Sequence, residues 1–140
     1  MVGEAEAGAA RRTVTSFLLV FIGAGIGGTL RHAVNLGSAR ALGTDFPWGT
    51  LAVNVAGSLV MGLLAGWLSF RAGEAWSQPM RLFLTTGILG GFTTFSAFSL
   101  DAVLLWERGE FGLAGGYVVA SVALSILALV AGLALVRALT

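Results

Sequence analysis

Polar side chains interrupt long apolar stretches of this chain at three places, and each has the means to handle an ion. In "GTLAVNVAGS", Asn54 stands amid small residues, with an amide that seeks up to four hydrogen-bond partners. Tyr117, Ser121 and Ser125 recur at i, i+4 and i+8, which stacks three hydroxyls along one helix face. In "GILGGFTTFSAFSLD", residues 87–101, Phe92, Phe95 and Phe98 are spaced by three and share a face, while Thr94, Ala97 and Asp101 lie on another. Ring edges are positive and can meet an anion stripped of water. Gly90-Gly91 in the same stretch predicts a helix break, because an interior Gly costs about 1 kcal/mol relative to Ala. A break at membrane depth frees carbonyls, which are good ligands for a hard cation. Each feature also has a plainer reading, with the amide as interhelical glue, the serines as small packing residues and the rings as core.

No catalytic set accompanies these groups. The one histidine, His32, sits beside Arg31 at a span end and reads as interfacial. No serine has a histidine and carboxylate arranged to activate it, and Asp45, Glu74, Glu107 and Glu110 belong to connections, so an enzyme is not expected. The chain has no cysteine, which excludes disulfides and thiolate chemistry. A formal net charge of +1, no lysine and scattered single arginines argue against nucleic acid as a partner.

The elements that must hold the polar groups follow from composition. Of 140 residues, 56% are hydrophobic and 11% charged; the mean hydropathy is +0.90, the makeup of a small integral membrane protein. Four stretches, about 14–36, 48–70, 80–106 and 111–139, reach the ~20 apolar residues that a helix needs to cross a bilayer. Pro47 and Pro79 stand just ahead of the second and third, where a helix can begin. The expectation is a disordered tail at 1–12 and one four-span, all-α membrane domain at 13–140, multi-pass in the cell inner membrane. The first run is longer than the ~7–15 residues of a signal h-region and no small-x-small site follows it, so it reads as a retained span. With four spans, Arg11, Arg12, Arg71, Arg81 and Arg137 lie on one side and Arg31, Arg40 and Arg108 on the other, a feeble bias. Such a chain can insert either way up and build an antiparallel homodimer, or it can hold one fixed orientation; charge alone supports both equally.

At these residues the chain resembles the Fluc (CrcB) family of fluoride channels. "GAGIGGTLRHAVN" is similar to the family's Gly-rich first-span segment, "GTLAVNVAGS" to its second-span asparagine motif and "GGFTTFSAF" to its third-span signature; the likeness runs from about Phe17 to the end. The resemblance implies a dual-topology, antiparallel homodimer with two fluoride pathways, a third helix broken at the Gly-rich segment and a structural sodium ion at the dimer centre. It implies that Gly90 and Thr93 offer backbone carbonyls to that sodium, and that ring edges of Phe95 and Phe98 coordinate fluoride. Asn54, Ser96, Tyr117, Ser121 and Ser125 would complete the fluoride pathway, and Arg31 and Asp101 would form a structural ion pair. The chain departs from the family's usual residues at Ala97, commonly Thr, at Asp101, commonly Glu, and at His32, commonly Tyr.

The function so implied is passive, fluoride-selective export from the cytoplasm, with fluoride, a second copy of the chain and the lipid bilayer as partners. Two other classes fit the length and span count. A small dual-topology proton-coupled exporter would need a carboxylate within the first span, and Val14 to Leu36 contains none. A non-transporting assembly subunit would use the glycine-rich faces for packing but leaves the paired phenylalanines unexplained.

Overall fold

The computed structural model describes residues 2–139, all of whose regular structure is helical. The order is α1 (Val2–Leu42), α2 (Trp48–Ser69), α3 (Ser77–Arg81), a π-helical stretch (Leu82–Leu89), α4 (Gly90–Phe92), α5 (Phe95–Glu107) and α6 (Phe111–Leu139). The pieces from α3 to α5 follow one another as a single discontinuous span. Four spans are thus long and apolar enough to cross a membrane: Glu6–Leu42, Trp48–Ser69, Ser77–Glu107 and Phe111–Leu139.

Local chemistry explains where these helices stop. Gly43 and Gly109 adopt φ of +82° and +78°, the left-handed conformation that ends α1 and follows α5. The Gly43 N–H returns to the Ala39 carbonyl at 3.1 Å, and the Gly109 N–H to that of Trp106 at 2.9 Å. Pro47 precedes α2 as expected, but α3 starts two residues before Pro79, which fits inside a first turn because its missing N–H has no partner to lose there. α1 is also longer than its apolar run. At 41 residues it extends about 60 Å, twice the ~30 Å of a hydrocarbon core, so its ends stand in water. Of the tail expected at 1–12, Met1 lies outside the described residues and residues 2–12 continue α1.

Packing rests on glycines rather than on a large side-chain core. Gly23 and Gly27 of α1 face Gly87 and Gly91 of the third span. A Cβ on Gly23 would sit 2.7 Å from the Phe83 carbonyl oxygen, and one on Gly91 would sit 2.5 Å from that of Ala24. A Cβ on Gly27 would collide with the Ile88 carbonyl. Small residues four apart on both partners let two backbones touch, the usual basis of association where lipid removes any hydrophobic driving force. α2 and α6, the most extensive pair, repeat the device: a Cβ on Gly132 would meet the Leu59 oxygen at 2.5 Å.

The expected break at Gly90-Gly91 is corrected by these contacts. Both glycines are helical, and the chain leaves the helix at Thr93 (φ −81°, ψ 158°) and Thr94 (φ −155°, ψ 119°). Gly91 is small because α1 presses on it; Gly90 has open space, its nearest neighbour being the Thr85 oxygen at 3.7 Å. The π-helical turns just before the break, which sequence patterning does not flag, are the part of the span against which α1 packs most extensively.

Tryptophans mark both ends. Trp48 opens α2 and Trp67 lies 19 residues on, about 29 Å along the axis. Trp76 packs on Trp67 with ring centroids 5.6 Å apart, and Trp106 lies near the far end of α5. Amphipathic rings favour the headgroup level, so the two pairs frame a hydrocarbon slab. In the connection at 70–76, Arg71 pairs with Glu74 at 3.1 Å and the Trp76 indole N–H donates to the same carboxylate, which holds Glu74 below the ordinary carboxylate range.

Candidate functional site

Asn54 is where the broken span is held. Its Nδ2 donates to the Thr94 carbonyl at 3.0 Å, and its Oδ1 accepts from the Thr94 N–H at 2.8 Å. One amide side chain therefore satisfies both backbone groups of the residue that leaves the helix, as a neighbouring strand would. In an unbroken helix the Thr94 N–H would reach back to the Gly90 carbonyl; given to Asn54, it releases that carbonyl. The ψ of Thr93 likewise turns its carbonyl off the helical direction. Gly57, one turn beyond Asn54 on α2, leaves the space that the Thr93 methyl fills.

The chain restarts as a helix immediately. Thr94 caps α5 by accepting from the Ala97 N–H at 3.2 Å, and its Oγ1 lies 3.3 Å from Ser96 Oγ. The positive end of α5 therefore begins beside the break, within the membrane. It borders a cavity of about 380 Å³. Asn54, Thr93, Phe95, Phe98, Ser121 and Ser125 all line it, contributed by α2, the break, α5 and α6.

The two rings differ in setting. Phe98 is 7% exposed and Phe95 77%, with centroids 5.4 Å apart and planes at 50°. Behind Phe98 stands Tyr117, 1% exposed, its ring 5.4 Å away and its hydroxyl donating to Asp101 Oδ2 at 3.3 Å. Ser121 is buried, and its Oγ makes no hydrogen bond of ordinary geometry among the described residues beyond a weaker interaction with the Tyr117 hydroxyl one turn away. A second cavity, of about 470 Å³, includes Asp101 and Thr50 in its walls.

Most of the residues singled out in the sequence thus come together. Asn54, Phe95, Phe98, Ser121 and Ser125 share one cavity; Tyr117 stands behind it, on the same stripe of α6. Ser96 does not line it, being exposed in the first turn of α5. The expected Arg31–Asp101 ion pair is absent among the described residues: Asp101 receives Tyr117, and Arg31 lies on α1, which does not pack extensively on α5. His32 is exposed. Thr94, Gly57 and Thr50 went unremarked as site residues, and only the small and hydroxyl-bearing character of their neighbourhood hinted at them. No group of three or more His, Cys, Asp or Glu side chains that could hold a metal occurs among the described residues, so a cation here would have to be met by backbone, hydroxyl or amide oxygens.

Known proteins resemble this chain in sequence along most of its length. The family described as "CrcB-like protein, Camphor Resistance (CrcB)" matches residues 18–133. The "Fluoride-specific ion channel FluC 2" of Nitrobacter hamburgensis is 62% identical over 125 residues, covering 89% of this chain and 99% of the relative. The "Fluoride-specific ion channel FluC" of Rhodopseudomonas palustris is 62% identical over the same coverage. That of Methylobacterium nodulans is 61% identical over 120 residues, 86% of this chain and 94% of the relative. With four spans built around a broken third helix, and likeness of this extent along nearly its whole length, the chain belongs to the CrcB family, a family of multi-pass membrane ion channels rather than enzymes.

Proposed function

We propose that this chain forms a fluoride-selective channel through which the ion leaves the cytoplasm down its gradient. The observation that carries the proposal is the convergence of two phenylalanines, two serines and the N-terminal end of α5 on one intramembrane cavity. Each is suited to a small anion: ring edges and the helix end are positive, and hydroxyls donate. The names of the relatives supply the identity of the ion. A proton-coupled exporter is disfavoured, because no carboxylate lies within residues 14–36 of α1.

The functional unit we propose is an antiparallel homodimer with two pathways. Gly57, beside the break, falls midway between Trp48 and Trp67, so the break lies at mid-depth in the slab that the tryptophans frame. An inverted second copy would present its own break at the same level. Phe95 and Gly90, both exposed at the surface of a single chain, would meet that copy. Sodium fits between the breaks: the carbonyls of Gly90 and Thr93 are released from helical bonding, and the ion would neutralise dipoles that are costly unpaired in lipid.

Liposomes loaded with fluoride or chloride, with efflux followed by ion-selective electrodes and no imposed proton gradient, test the reading. Fluoride leaves rapidly and chloride does not; equal chloride efflux, or strict dependence on a proton gradient, refutes it. Exchange of sodium for a large organic cation during purification should lower thermal stability and silence efflux. Full activity and unchanged stability after that exchange would refute the sodium site.

A further inference from the structure

We propose that Arg108 is a positioning residue for the ion pathway: it latches the α1–α2 connection onto the α5–α6 turn so that Phe46 stays closed over Tyr117. The inference rests on the reading that Tyr117 borders the pathway. Arg108 Nη2 donates to the Asp45 carbonyl oxygen at 2.8 Å, across 63 residues of sequence. The same guanidinium pairs with Glu110 Oε2 at 3.3 Å. Exposed ion pairs contribute little by themselves, since solvent screens them and two long side chains must be ordered. Here one acceptor is main chain, and that changes the consequence. The bond fixes the backbone of the residue just before Phe46.

Phe46 then carries the constraint inward. It packs on Trp48 with centroids 4.5 Å apart and planes tilted by 52°, and meets Tyr117 edge-on at 5.5 Å. It is a half-buried ring packed on the buried cluster of Phe98, Leu105, Ala114 and Tyr117. Tyr117 in turn holds its ring on Phe98 and its hydroxyl on Asp101. An exposed arginine is thus linked, through one loop and two aromatic contacts, to the ring that lines the intramembrane cavity. Phe46 and Arg108 also wall the second cavity together with Asn35, Thr50 and Asp101, so loosening the latch widens the space beside the Tyr117–Asp101 pair.

The chain contains one tyrosine, so incorporation of 3-fluorotyrosine places a single ¹⁹F resonance at Tyr117. The resonance and fluoride efflux from liposomes are measured for wild type, Arg108→Met, Arg108→Lys, Phe46→Leu and Asp45→Asn. Loss of a charge-assisted hydrogen bond should raise the open-loop population about tenfold. In Arg108→Met the resonance then shifts or broadens and fluoride efflux falls, by up to about tenfold, the ceiling that this shift in population sets. Arg108→Lys, which still donates to a carbonyl, recovers at least part of both readouts. Phe46→Leu reproduces the change at Tyr117. Asp45→Asn leaves both unchanged, because the acceptor is its backbone. A resonance unmoved by Arg108→Met overturns the latch, and a moved resonance with undiminished efflux overturns its role in positioning. Equal losses in Asp45→Asn and Arg108→Met overturn it too, by pointing to charge alone. Should wild type pass no fluoride, the channel reading fails, and the resonance by itself still supports or overturns the latch.

Discussion

Replacing Asn54 with alanine leaves the N–H and carbonyl of Thr94 without partners in a place poor in water. Two stranded backbone groups cost roughly 2–6 kcal/mol together. Asn54→Ala should therefore unfold at lower temperature in detergent and lose fluoride efflux, whereas Asn54→Asp, which still accepts from the Thr94 N–H but cannot donate to the carbonyl, should fall between the two. Wild-type stability in Asn54→Ala would show that the amide is dispensable to the break. Ser121 poses a different question, because it is 5% exposed and lines the cavity without being needed by any strong hydrogen bond. A bulkier apolar side chain there, as in Ser121→Leu, should cut efflux at least tenfold, equivalent to about 1.4 kcal/mol of added barrier, with the size of the complex in detergent unchanged. Unaltered efflux would reduce the α6 stripe to packing. Sequence alone located both residues, since a polar group in an apolar run is conspicuous. It did not reveal what Asn54 binds: the partner is a backbone 40 residues away, and no side-chain type advertises that.

Two adjacent glycines in the third span illustrate how an element can be recognised for a mistaken reason. The pair was conspicuous as a breach of helix propensity, and a discontinuity does occur close by. Yet the propensity cost is repaid by contact with α1 at Gly91, and the chain parts from the helix only where Asn54 captures Thr94. Gly91→Ala should accordingly destabilise by about 1–3 kcal/mol through overpacking against the Ala24 carbonyl. Gly90→Ala, with open space inside its own chain and its carbonyl retained, should be close to neutral in the chain held monomeric in detergent. Thermal unfolding of the two variants measures the contrast, and equal destabilisation would refute it. The spans themselves were legible because long apolar runs have few alternatives. Their ends were less so: α1 continues through charged residues at both ends, where helix formation in water meets no hydropathy signal. The π-helical turns at 82–89, which lie where the span meets α1, left no trace in the hydropathy pattern.

At the scale of the whole molecule, the mid-depth break fits the proposed pairing of two copies related by inversion, and the weak charge asymmetry of the connections permits it. The chain has no cysteine, and Gly73, in the α2–α3 connection, has open space around it. Gly73→Cys should react half with a membrane-impermeant maleimide outside sealed cells and half only after permeabilisation; labelling wholly from one side would sink dual insertion. The tryptophan pairs add a further demand. Because Trp48 and Trp67 stand about 29 Å apart, they act as a ruler matched to the ~30 Å hydrocarbon thickness of an ordinary bilayer. In membranes of shorter acyl chains, helices of fixed length respond by tilting. Helices joined glycine-to-carbonyl have little slack to tilt independently, so in the proposed dimer mismatch would fall on the junction between chains. Lipid thickness should thus tune this protein and of itself select the membranes in which it works, without any ligand or modification.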